Sequence, residues 1–231
     1  MAWSIFQPLV MLGIYTIAFG VIIQGRWGDN GGTSNYSLWL YAGLIILNAV
    51  IECLNKSVAL IMENPNYVKK IVFPLELLSV ANVIAILVHL FINLMVWLVV
   101  CLVLVGFPPL TIVYVPFIFL CLIPLMLGIS WLLSALSVFF RDIAQVVGML
   151  GHVLLFLTPI FYSVSQAPAF LHRFLLFNPL TYLVETFRGI LIYGTSPNAL
   201  GLIVYFALSL LFCAIGYWTF KRLKPAFGDV I

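Results

Sequence analysis

Residues 77–105 read LLSVANVIAILVHLFINLMVWLVVCLVLV, 29 positions without a single Asp, Glu, Lys or Arg. As an α-helix this run would extend about 43 Å at 1.5 Å per residue. That exceeds the ~30 Å hydrocarbon core of a bilayer, so the helix can cross a membrane with tilt or protrusion to spare. Similar runs lie on both sides, at 3–23, 38–62, 111–138, 144–164 and 199–220. The whole chain has 231 residues, of which 65% are hydrophobic and 7% charged. A soluble domain carries about 25% charged residues, so this chain cannot cover a water-facing surface. Disorder is excluded by the same figures. Nucleic-acid binding is excluded by a net charge of only +3 with scattered Lys and Arg. The expectation is an all-α integral membrane protein, one domain over 1–231, with six transmembrane helices.

The stretch 165–198 departs from this pattern. It holds two apolar pieces, 169–177 and 181–193, each too short to cross the core. They read as short re-entrant or interfacial helices. Asn178 suits a helix cap, Pro179 a first turn and Gly194 a helix end. Glu185 and Arg188, three apart, can pair on one face. Loop charges orient the chain. With six spans, Lys69, Lys70, Arg141, Lys221, Arg222 and Lys224 fall on the side of the termini, and Arg26, Arg173 and Arg188 on the other. Both termini are therefore expected in the cytoplasm, with 165–198 external.

Polar residues within the spans are costly and mark sites or packing. Asn48, Glu52, Asn55 and Lys56 form a stripe that either transmits a signal or protrudes into the cytoplasm, with Glu52 and Lys56 in the favourable order for an ion pair. Asn82, His89 and Asn93 share a helix face and read as helix-packing groups, as does His152 beside Gly148 and Gly151. Ser130, Ser134 and Ser137 form a small-residue stripe. Gly128-Ile129-Ser130 contains a Gly-x-Ser string, the basis of a remote intramembrane serine-protease reading, but no base is evident beside the serine. Tyr36, Trp39, Tyr41, Phe156, Phe161 and Tyr162 lie near the external ends, as an interfacial belt or as stacking surfaces for sugar rings. The four cysteines stand alone and imply neither a metal site nor a disulfide framework. No phosphate-binding GxxxxGK[ST] loop is present, so nucleotide energy would come from a partner.

Between the second and third spans lies Glu63-Asn64-Pro65-Asn66-Tyr67-Val68-Lys69-Lys70-Ile71-Val72-Phe73-Pro74. Asn64 and Pro65 can open a helix, and Pro74 limits it to about two turns. Tyr67, Val68, Ile71 and Val72 give it an apolar face. Such a cytoplasmic helix is either a plug for a soluble partner or a loop helix lying on the surface.

Four stretches together resemble the permease subunit of ABC-2 type polysaccharide exporters, the O-antigen, teichoic-acid and capsule class. They are Lys69-Lys70-Ile71-Val72-Phe73-Pro74-Leu75-Glu76; Phe140-Arg141-Asp142-Ile143; Thr158-Pro159-Ile160-Phe161-Tyr162-Ser163 with Asn178-Pro179-Leu180 and Glu185-Thr186-Phe187-Arg188; and the tail from Phe220 to Ile231. The resemblance implies a homodimeric half-transporter in the bacterial inner membrane, above two ATPase subunits that carry the ATP and Mg. This chain would hold no cofactor or metal and would not be an enzyme. Asn66, Tyr67, Val68, Lys69, Lys70, Ile71 and Phe73, with Arg141 and Asp142, would couple to the ATPase. Asn178, Pro179, Glu185 and Arg188 would belong to a re-entrant gate, and the six aromatics would line the channel. The substrate would be a lipid-linked glycan moved outward; a small lipid or drug is the alternative cargo. Family members usually begin with an amphipathic helix and a basic stretch. Here Trp3-Ser4-Ile5-Phe6 already enters the first apolar run, and a truncated or mis-started chain is the expectation.

Overall fold

A computed structural model describes residues 6, 10–11, 13–14, 17, 33–70, 74–140, 142–162, 174–175 and 178–230. The first expected span, 3–23, and the first short piece, 169–177, fall largely outside them. Among the described residues all regular structure is helical. The order is α1 (Thr33–Ala59), α2 (Pro65–Lys70), α3 (Glu76–Leu104), α4 (Val115–Phe139), α5 (Ile143–Leu157), α6 (Pro179–Arg188), α7 (Ala199–Leu223) and α8 (Phe227–Val230). A 3-10 turn, Leu110–Tyr114, leads into α4, a π turn, Gly189–Tyr193, extends α6, and a 3-10 turn, Lys224–Ala226, links α7 to α8. Among the described residues four stretches are long and apolar enough to cross a membrane: Tyr36–Ala59, Glu76–Leu104, Leu110–Phe139 and Ala199–Ala226.

The helix in the fifth apolar run, α5, has 15 residues and stops at Leu157 rather than continuing to 164. Pro159 is the physical reason, since the residue before a proline is driven out of the helical region. At 1.5 Å per residue α5 alone reaches about 22 Å, less than the hydrocarbon core.

The chain forms two compact units. One comprises 1–48, 88–115 and 155–197. In it, the Trp97 indole donates to Leu38 O at 2.9 Å, and the Tyr41 hydroxyl donates to Asn93 Oδ1 at 2.8 Å. The Asn93 amide turns back to His89 O, so this polar pair ties α1 to α3. Thr111 Oγ1 donates to Ile190 O at 2.6 Å, which holds the turn before α4 against the π turn after α6.

The other unit comprises 49–87, 116–154 and 198–231. Here α4 and α7 cross backbone to backbone. A Cβ on Gly216 would lie 2.4 Å from Gly128 O, and one on Gly128 would lie 2.7 Å from the Phe212 ring. Close approach through small residues is how helices associate where lipid removes the hydrophobic drive. Ser130, Ser134 and Ser137 are buried on the same helix; Ser134 and Ser137 donate to the carbonyls of Trp131 and Ser134. The serine stripe is thus a packing surface. Asn82 donates to Ser57 Oγ at 3.4 Å, again between helices, as expected of packing groups. Gly151 meets Ile51, with a virtual Cβ 3.4 Å from it, whereas no described residue lies within 4 Å of one on Gly148.

Gly216→Val should force α4 and α7 apart at a cost of about 1–3 kcal/mol, the range for overpacking a tight contact. Gly148→Val should cost far less. Thermal unfolding of both variants in detergent measures the difference.

Candidate functional site: a buried arginine and a short helix

Breaking α5 at Pro159 leaves carbonyls without helical partners. In a membrane protein such groups must be satisfied by neighbours. Two side chains from the following segment do this. Asn178 caps α6 by accepting from Leu180 N at 3.0 Å, with Pro179 at the first turn. Its amide nitrogen donates to Leu157 O and to Thr158 Oγ1, at 3.3 and 3.0 Å. One short side chain therefore starts α6 and closes the end of α5.

Arg188, at the last turn of α6, serves carbonyls just beyond the break. Its guanidinium is fully buried. Nη1 donates to Pro159 O, Nη2 to Ile160 O at 3.0 Å and Nε to Trp39 O at 3.1 Å. Nη1 also reaches Glu185 Oε1 at 3.1 Å, the pairing expected from the three-residue spacing. The guanidinium lies over the Trp39 ring, 3.5 Å from its centroid, a cation–π contact. Only a planar fork with several fixed donors can serve three carbonyls and a ring at once. Burial lowers the Arg188 pKa to about 10, while Glu185 opposes the shift; the group stays a cation at physiological pH. Gly43 makes room for it, because a Cβ there would sit 2.4 Å from Arg188 Nη2. Gly194, with φ +66, ends the π turn in the left-handed region expected of a helix-terminating glycine.

The aromatic candidates divide by exposure. Tyr36, Trp39 and Tyr41 are buried. Tyr36 stacks on Trp39 at 5.9 Å between centroids and donates to Phe161 O. Phe156 is exposed and packs obliquely on Phe161; Phe161 and Tyr162 are half-buried, and the Tyr162 hydroxyl donates to Phe156 O at 3.0 Å.

In the other unit, α2 begins at Pro65 as expected, with Asn66 and Tyr67 exposed. The Asn64 amide reaches back to Leu60 O at 2.8 Å, closing the end of the preceding helix. Val68, Lys69 and Lys70 belong to α2 by backbone; Ile71, Phe73 and Arg141 lie outside the described residues. Asp142 is exposed, and its carbonyl accepts from Gln145 N and Val146 N at the start of α5. Glu52 and Lys56 pair at 2.7 Å, as their spacing suggests. Ser130 Oγ is buried and has no hydrogen-bond partner among the described residues, so none of them is placed as the base a nucleophile needs. Among the described residues no cluster of His, Cys, Asp or Glu could hold a metal ion.

Residues 1–192 match the ABC-2 type transporter membrane family. The chain belongs to that family. Two O-antigen export system permease proteins RfbA from Klebsiella pneumoniae are each 25% identical over 230 residues, covering 99% of this chain and 86% of theirs. One of the same name from Myxococcus xanthus is 22% identical over 231 residues, at the same coverage. An ABC-2 permease is the non-catalytic, multi-pass transmembrane subunit of its transporter and works with a partner ATPase. In this ABC-2 permease, Gly43 and the acceptor carbonyls of Pro159 and Ile160 escaped sequence reading. A glycine within an apolar run and a carbonyl on any residue carry no distinguishing signal until the arginine is placed.

Arg188→Ala should destabilise the chain by about 3–5 kcal/mol, because it orphans buried carbonyls and Glu185. Arg188→Lys should not rescue it. Glu185→Gln should cost below about 1 kcal/mol, since that carboxylate is partly exposed. Melting temperatures in detergent, with yields of folded protein, test this order.

Proposed function

We propose that the chain is the membrane half of an exporter that moves a lipid-linked polysaccharide from the cytoplasm to the outer face of the bacterial inner membrane. The near full-length relationship to proteins named as O-antigen export permeases carries this reading. Two copies form the channel over two ATPase subunits, which bind ATP and Mg. Each copy contributes six spans, the run 3–23 and the run of α5 completed by 158–164 included. Both termini lie in the cytoplasm, which the six Lys and Arg assigned to that side support.

Helix α2 and its continuation couple the permease to the ATPase. Asn66 and Tyr67 are presented to solvent, which supports a docking role. Val68, Lys69, Lys70, Ile71 and Phe73 complete that element, and Arg141 and Asp142 stand at the next cytoplasmic turn. Helix α6 belongs to the re-entrant segment, and Asn178, Pro179, Glu185 and Arg188 hold it in place as part of the exit gate. Phe156, Phe161 and Tyr162 retain exposed ring surface for sugar stacking. Tyr36, Trp39 and Tyr41 stand behind them and support Arg188.

Replacement of Lys69-Lys70-Ile71 by Gly and Ser residues should abolish export while leaving membrane insertion intact. The measurement is surface glycan in an export-deficient strain carrying this chain with its cognate ATPase. Wild-type levels of surface glycan from that variant would remove the coupling role.

A further inference from the structure

We propose that the segment following α7 is a latch that fixes the pose of α2, and that Glu76, Lys224 and Phe227 are positioning residues for ATPase coupling. The proposal rests on reading α2 as the coupling helix.

Helix α2 has six residues, too few to be stable by its own hydrogen bonds. An element that transmits force must be held by what it is attached to. Its two roots are Ile61, four residues before Pro65, and Leu75, five after Lys70. Both are buried in one cluster with Phe227, Phe220, Ala135 and Val138. Phe227 is the tail's contribution. It is fully buried, its ring 5.6 Å from Phe220 in an edge contact and 6.1 Å from Phe139. Pro225 and the 3-10 turn Lys224–Ala226 bring the chain round to place it there, and α8 then packs against α2 itself.

An ion pair closes the same joint. Lys224 Nζ donates to both carboxylate oxygens of Glu76, at 2.9 and 3.0 Å. Glu76 is the first residue of α3, where the helix dipole favours an anion, and Lys224 follows the last residue of α7, where it favours a cation. The Trp131 indole donates to Glu76 O at 3.2 Å, which fixes the backbone of the acidic residue. The tail therefore grips the root of α2 by charge at Glu76 and by an aromatic ring in the cluster that buries Ile61 and Leu75.

The test uses the full chain in complex with its ATPase in lipid nanodiscs, with a nitroxide label on Glu63→Cys, an exposed position two residues before α2. Label mobility reports the pose of α2; ATP hydrolysis by the complex reports coupling. Lys224→Met and Phe227→Ala should each loosen the label and lower hydrolysis several-fold with the ATPase still co-purifying. Lys224→Arg, which keeps the pair, should behave as wild type. An immobile label and full hydrolysis in both Lys224→Met and Phe227→Ala would overturn the latch. Tyr67→Ala separates the two levels. If it leaves hydrolysis and ATPase association unchanged, the coupling reading of α2 has failed, whatever the latch variants do to the label.

Discussion

Arg188 carries five N–H donors and a charge into a site closed on every side, and such a group persists only where the protein supplies acceptors. The acceptors here are backbone carbonyls, and they are free because Pro159 has broken a helix. Neither half is tolerable alone. The broken end of α5 would leave Pro159 and Ile160 unpaired in an apolar setting, and the guanidinium would be an unmatched cation. Together they satisfy each other, and Trp39 offers a carbonyl and a ring face from α1. The consequence is mechanical. A side chain that joins α1, the turn after α5 and α6 allows those three segments to move only together. Helix α6, with ten residues, owes its fixed position to this joint and to Asn178 rather than to its length.

The same economy governs the second unit. With 7% charged residues, the chain spends few charges, and those described in pairs sit at helix ends or one turn apart. Glu76 and Lys224 join the start of α3 to the end of α7. Glu52 and Lys56 lie within α1, one turn apart. Each pair sits within or beside apolar surface with its charges partly exposed, and the partner's attraction offsets part of the desolvation penalty. Close helix contact follows a second rule, that of glycine on glycine at Gly128 and Gly216.

Hydropathy made α3 and α7 legible. The expected run 77–105 became Glu76–Leu104, and 199–220 became Ala199–Leu223, because an unbroken helix satisfies its own backbone groups in lipid. The short helices at Pro65 and Pro179 were legible for a different reason: proline and a preceding Asn are local signals of a helix start. What stayed hidden was every partnership between distant residues. Glu185 and Arg188 could be paired by spacing, but nothing local says that Arg188 also meets Trp39, 149 positions earlier. Phe227 read only as part of the tail from Phe220 to Ile231, and its burial depends on a turn that Pro225 hints at. Gly128 read as half of a weak catalytic string, and its meaning is instead the helix that lies against it.

These hidden partnerships bear on the sugar stacking proposed above. Stacking needs an uncovered ring face. One face of Trp39 is taken by the guanidinium of Arg188, and its ring stacks with Tyr36 at 5.9 Å between centroids. The hydroxyls of Tyr36 and Tyr41 are committed to Phe161 O and Asn93. These three residues are therefore engaged in holding the protein to itself. Phe156 is exposed; its ring meets Phe161 obliquely and its carbonyl accepts from the Tyr162 hydroxyl, which leaves a ring face to offer. It stands two residues before the helix breaks, so its backbone is ordered by α5 while the turn that follows is pinned by Arg188. A rigid ring beside a pinned turn is the arrangement that lets a flat apolar surface be offered without cost in backbone order.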